Sequence, residues 1–237
     1  MVKFFSFIQT VLSIFMIGVM VLAWGLPLIP AFISYDWITN LYTGTNSSVT
    51  LFIKAMACAF GFLIWGISLL ILSGSLQFLL HLRFSSRLEA PLASLTTIRW
   101  AICGQLHRAT MPFLRHAVPS FLGNTYYRLA GCKIGQNVNI NSCRLNDPSL
   151  IVIGSNAVIG GEAVINGHLV EQGKIVLEKV VIGERALIGG GAFVGPGAKI
   201  GNRSTLASRS VLPKRREVPD NAVWGGIPAR SIRDESE

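Results

Sequence analysis

The hydrophobic residues of this chain follow three different patterns in succession. In the first, 32 residues between Lys3 and Asp36 carry no formal charge, and a second uncharged run extends from Ala55 to Leu80. A bilayer core takes about 20 apolar residues in helical conformation, so each run predicts a membrane-spanning helix. Pro27 and Pro30 are expected to kink or end the first one. Trp24, Tyr35, Trp37 and Tyr42 fall where interfacial aromatics belong. A cleaved signal peptide fits less well, because the apolar region is too long, no A-x-A-like site follows it, and a second span comes after.

The second pattern is mixed. Residues 84–130 interleave Arg with bulky apolar residues, as in RWAICGQLHR and FLRHAVPSFLGNTYYRLAG, and Pro91 and Pro112 interrupt them. This texture predicts one or two amphipathic helices at the membrane surface. His81, His107 and His116 lie in or beside this segment and read as interfacial residues.

The third pattern has a period of six. An aliphatic residue followed by a small one recurs at Ile134-Gly135, Ile153-Gly154, Ile159-Gly160, Ile182-Gly183, Ile188-Gly189, Val194-Gly195 and Ile200-Gly201. The step continues through Leu206, Leu212, Val218 and Trp224. An amphipathic helix repeats at 3.6 residues, so a sustained six-residue step predicts a β-solenoid. Three hexads make one triangular coil, each aliphatic residue points inward, and the small residue after it lets the chain turn a tight corner. About five coils are expected, starting near Ile134, Ile153, Val176, Val194 and Leu212. Two gaps break the step. Ile140 and Ile153 are thirteen apart, across RLNDPSL; Ile165 and Val176 are eleven apart, which extrudes a loop at 169–173 directly after His168. Insertions in repeat arrays project from one face, often the binding face.

Composition sharpens this picture. Only 14% of the 237 residues are charged while 51% are hydrophobic, which excludes intrinsic disorder and disfavours a wholly soluble chain. The formal net charge of +9 is concentrated in residues 83–130, where six Arg face one Glu. A basic block directly after apolar spans is expected to face anionic membrane lipids, and with no aromatic-rich binding motif beside it no nucleic-acid partner is expected. The segment joining the two spans carries only Asp36, so the positive-inside rule puts both termini and the solenoid in the cytoplasm. Cys58, Cys103, Cys132 and Cys143 form no CxxC pair and read as reduced thiols. The expected organisation is a two-helix transmembrane anchor (1–83), a basic juxtamembrane linker (84–130) and a β-solenoid domain (131–237).

The stretch from about Tyr126 to Arg233 resembles the hexapeptide-repeat acyltransferases. VPDNAVWGGIPARSIR (218–233) is similar to that family's closing segment, and YYRLAGCKIGQNV (126–138) resembles its lead-in to the first coil. AVINGHLVEQGKI (163–175) looks like the hexapeptide modules associated with membrane-bound peptide synthetases. The resemblance implies a mainly β, left-handed parallel β-helix, a homotrimer, and acyl-CoA sites in clefts between neighbouring prisms. It implies a catalytic histidine at a coil corner, which falls on His168, and acetyl-CoA or another acyl-CoA as co-substrate with no metal. Gly189, Gly190 and Gly191 read as tight-corner residues and also allow close approach of the pantetheine arm, and Ala207 and Ser208 match family positions one coil further along that bind the arm through backbone groups. Lys214, Arg216 and Arg230, with Arg215, match basic positions that meet the CoA phosphates, and Arg forks suit phosphate.

The chemistry is coherent from the residues up. A hydroxyl or amine attacking a thioester must lose a proton, and imidazole, with an ordinary pKa near 6.5, can take it. The other ring nitrogen needs a carboxylate or carbonyl to hold it; Glu171 and Glu162 are candidates, and Asn166 can orient the acceptor. A metal hydratase on a similar prism needs three histidine ligands, and this solenoid has one. No GxxxxGK[ST] phosphate loop occurs. Two alternatives remain open: an amide-forming transferase fed by an acyl or peptidyl carrier protein, and a non-catalytic trimeric membrane scaffold. The two spans point to a membrane-associated acceptor.

Overall fold

The computed structural model describes residues 2–42, 44–82, 84 and 86–232; Arg83 of the basic block and residues 233–237 at the end of the repeat domain lie outside the described residues. Two long helices come first, α1 (Val2–Asn40) and α2 (Ser47–Leu80), the second capped by Asn46, whose side chain accepts from the Ser48 and Val49 amides. Both are long and apolar enough to cross a membrane. They lie side by side, with Trp65 donating to the Trp24 carbonyl (3.0 Å) and Gly61 against Ala31. Contrary to the sequence expectation, α1 does not end at Pro27 or Pro30 but contains both. A neighbouring helix is one of the surroundings in which a membrane helix tolerates interior proline, and α2 meets α1 in this region through Trp65.

The linker contains more than helices. A strand, β1 (Arg87–Pro91), precedes α3 (Leu95–Ala117) and α4 (Phe121–Leu129). Ser94 and Ser120 cap the two helices, each accepting a backbone amide. Pro112 lies inside α3 rather than breaking it, and Trp24 of α1 donates to the Ala109 carbonyl (2.8 Å) one turn earlier. The helical layer is pinned together by a buried polar cluster. Gln77 Nε2 of α2 donates to the Tyr126 hydroxyl of α4 (3.0 Å), which lies 2.7 Å from His107 Nδ1 of α3. Burial lowers the His107 pKa to about 4, so its ring is neutral and its Nδ1 accepts from Tyr126.

Beyond Cys132 the chain winds into a prism of three parallel sheets. On the first face Ile134, Ile153, Ile182, Ile200 and Val218 stack in register, and on the second Ile140, Ile159, Ile188, Leu206 and Trp224. The third holds Ile165, Val194 and Leu212, with Leu145 bridging to Ile165 at one end. Most of these inward aliphatics are fully buried, and they form one continuous core that reaches Leu114, Tyr126 and Tyr127 of the helices. The chain closes with Val223–Gly226 turning back antiparallel onto Ala229–Ser231.

Three coil starts are corrected. Val176, Val194 and Leu212 do not begin the third, fourth and fifth coils; Ile182, Ile200 and Val218 do, stacking on Ile153, while Val194 and Leu212 stand on the third face with Ile165. The excursion after Ile165 is therefore longer than the sequence spacing indicated, and it folds as a hairpin of β2 (His168–Glu171) and β3 (Lys174–Glu178). Strand β1 adds to this hairpin, giving the order β1-β3-β2. The apolar residues of β3 imitate a hexad because the strand is buried on both faces: Val176 is itself buried, and Ile175 and Leu177 fill a second small core with Ala90 and Leu150. Glu178, buried, accepts two bonds from Arg215 Nε (2.8 and 2.9 Å) and ties the hairpin to a later coil.

Candidate active site

Both breaks in the six-residue register occur at the same edge of the prism, between its third and first faces. The first break makes a short 3-10 turn, Pro148–Leu150, and presents Asp147. The second makes the hairpin and presents His168. Coil stacking brings the two insertions into contact. Gly167 permits it, since a Cβ there would meet Leu150 at 2.7 Å and the Asp147 side chain at 3.2 Å.

At this edge His168 Nδ1 lies 2.6 Å from Asp147 Oδ2. The same oxygen accepts from the Gly167 amide (2.9 Å), and Oδ1 accepts from the Trp100 indole N–H (2.9 Å). Asp147 is 7% exposed, so every donor it meets counts. Burial on its own would raise the Asp147 pKa; the hydrogen bond and charge of His168, with the donors of Trp100 and Gly167, outweigh it and hold the carboxyl below its ordinary value. For His168 burial acts to lower the pKa, while the bond and charge from Asp147 prevail and raise it above the ordinary imidazole value. The carboxylate fixes the tautomer: Nδ1 carries the proton toward Asp147, and Nε2 is left as the basic nitrogen. Asn166 accepts from Asn146 (2.5 Å), a second side-chain rung between the same two coils.

The residue holding His168 is thus Asp147, and neither Glu171 nor Glu162 does so. Glu171 instead pairs with Lys214 of a later coil, and Glu162 lies 3.7 Å from Arg144. The Lys214 pairing lowers the Glu171 pKa. The residues assigned to the donor divide between two edges. Lys214 and Arg215 stand on the His168 edge. Gly189, Gly190, Ala207 and Ser208 stack together on the next edge, where the Arg209 amide donates to the Gly190 carbonyl (2.9 Å). Arg216 is exposed beside Lys214, and Arg230 is exposed in the closing strand. Sequence reasoning missed Asp147, Trp100 and Gly167. Asp147 had a signal, since it lies inside the thirteen-residue gap. Trp100 had none, because it comes from α3, outside the repeat. Among the described residues no group of His, Cys, Asp or Glu is arranged to hold a metal ion.

Residues 179–214 match the family model described as bacterial transferase hexapeptide (six repeats). Hexapeptide repeats of this kind imply a left-handed parallel β-helix. No curated protein matches the chain by sequence. Among solved structures, it is similar to a hexapeptide-repeat acetyltransferase from Vibrio cholerae, at 21% identity over 56% of this chain and 93% of that one, with a TM-score of 0.46. A complex of the acetyltransferase with acetyl coenzyme A from Vibrio cholerae O1 biovar eltor aligns at 22% identity over 55% of this chain and 88% of that one (TM-score 0.44). A maltose O-acetyltransferase from Clostridium difficile 630 aligns at 17% identity over 63% and 93% of the two chains (TM-score 0.48).

Proposed function

We propose that this chain is a membrane-anchored acyltransferase that moves an acetyl or other acyl group from acyl-CoA to a hydroxyl or amine of a membrane-associated acceptor. The observation that carries this reading is the His168–Asp147 pair, set at a coil edge of a hexapeptide prism with the imidazole side chain partly exposed. In the proposed reaction Nε2 takes the acceptor's proton as its oxygen or nitrogen attacks the thioester carbonyl. The tetrahedral intermediate then collapses, the C–S bond breaks, and the imidazolium returns its proton to the CoA thiolate. Asp147 stabilises the imidazolium in between, and its depressed pKa keeps it ionised for that role.

The division of Lys214 and Gly189–Gly190 between two edges fits a homotrimer in which one protomer supplies the histidine edge and its neighbour the glycine edge. The two long helices fit a multi-pass inner-membrane anchor with both termini and the prism in the cytoplasm. A buried core helix would be mostly enclosed, whereas 11% and 28% of the most apolar windows of α1 and α2 are buried. Labelled acetyl-CoA mixed with native membrane extract and either the wild-type protein or His168→Ala tests the proposal. Label entering an acceptor with wild type alone supports it. Equal label with both proteins, or no transfer together with no acetyl-CoA binding, overturns it.

A further inference from the structure

We propose that Trp100, carried by the helix that follows the membrane hairpin, is a positioning residue for the His168–Asp147 pair, so that the helical layer completes the active centre in addition to anchoring it. This rests on the acyltransferase reading of that pair. Trp100 touches both members at once. Its indole N–H donates to Asp147 Oδ1 at 2.9 Å, and its ring packs on the His168 ring with centroids 4.7 Å apart and planes at 59°.

The two contacts do different work. Oδ2 of Asp147 is shared between the Gly167 amide and His168, so Oδ1 is the atom whose partner decides how the carboxylate is turned. Within the prism nothing holds Oδ1; among the described residues its one donor is Trp100. The ring contact then limits the imidazole to the plane in which Nδ1 meets Oδ2. Packing alone would be served by any large apolar side chain, but the buried Oδ1 needs an N–H, and an unmet buried acceptor is costly.

The helix that carries the indole is itself tied to β1 and to both long helices. Thr97 Oγ1 donates to the Pro91 carbonyl (2.8 Å), the adjacent Arg99 donates to the Leu80 carbonyl at the end of α2 (3.1 Å), and Trp24 of α1 donates to the Ala109 carbonyl. A cavity of about 30 Å³, lined by Gln77, Trp100, Cys103, Asp147 and Leu150 among others, lies between the helices and the carboxylate. A smaller side chain at position 100 would enlarge it and free the aspartate to turn.

The test uses the full-length protein in nanodiscs, with 15N-histidine labelling to follow His168 titration and acetyl transfer measured in parallel. Trp100→Phe keeps a ring on His168 but removes the N–H. A carboxylate relieved of one donor attracts the imidazolium more strongly, so His168 should titrate at higher pH than in wild type; Arg108 is the other charge acting on that ring. Turnover should fall by about 10–10²-fold through misorientation, with KM for acetyl-CoA within about twofold of wild type. Benzothienylalanine placed at position 100, which keeps the indole shape without the N–H, should reproduce both effects even if the Phe variant folds poorly. A His168 titration unchanged in both variants overturns the proposal. Because titration needs no turnover, that outcome is separable from a failure of the acyltransferase reading, which would appear as a wild-type protein that transfers nothing.

Discussion

His168 Nδ1 and Asp147 Oδ2 stand 2.6 Å apart although they come from successive coils and from two separate interruptions of the repeat. The two insertions supply the length needed for a carboxylate to reach a histidine in the next coil. If that pair is the base, His168→Ala should cost about 10²–10⁴ in turnover, while acetyl-CoA binding measured by calorimetry stays near wild type. Equal loss of donor binding would instead place His168 in the donor pocket.

The pair also fixes a pH dependence. In the proposed reaction the base is neutral imidazole, whose fraction grows as pH rises through the His168 pKa. That pKa is raised by Asp147, so the acid limb of kcat/KM should lie above the ordinary imidazole value. Asp147→Asn removes the raising charge and leaves the lowering effect of burial. Its acid limb should therefore move to lower pH, with turnover reduced by no more than the roughly 10²–10⁴ that loss of the base itself costs. A limb that moves upward or stays in place would mean that Asp147 does not govern the base.

Much of this architecture is legible in the sequence, for a physical reason. Inward positions such as Ile153, Ile188 and Leu212 have no freedom of type, since each must fill the prism. The breaks in that pattern were visible too, but their content was not. Val176 looks like a hexad residue because it too is buried, in a strand that is covered on both faces. Asp147 looked like part of an irregular turn, and only the stacking of coils turns its position into a partner for His168. Trp100 was beyond reach, because no periodicity links a helix residue to a solenoid edge.

The buried cluster of Gln77, Tyr126 and His107 joins three helices through one hydroxyl. Tyr126→Phe removes that hydroxyl and leaves the neutral His107 Nδ1 buried without its donor. Such a loss costs about 1–3 kcal/mol, so the detergent-solubilised variant should unfold at lower temperature. Activity per folded molecule should stay within about twofold, because the dyad keeps all of its own partners. An unchanged unfolding temperature would mean that the cluster contributes little to holding the helices together.

Gly189 and Gly190 sit next to each other and should respond oppositely to alanine. A Cβ at Gly189 would come within 2.3 Å of the Ser208 backbone nitrogen in the next coil, so the corner must shift. Overpacking of this kind costs about 1–3 kcal/mol, and Gly189→Ala should lower thermal stability. At Gly190 a Cβ would meet only the Gly161 carbonyl, at 3.3 Å, which a small adjustment relieves. Gly190→Ala should keep the fold, and if this edge takes the pantetheine arm the added methyl should raise KM for acetyl-CoA without changing the unfolding temperature. A stable Gly190→Ala protein with wild-type KM would remove this edge from the donor site and leave the Lys214 edge as the place to seek it.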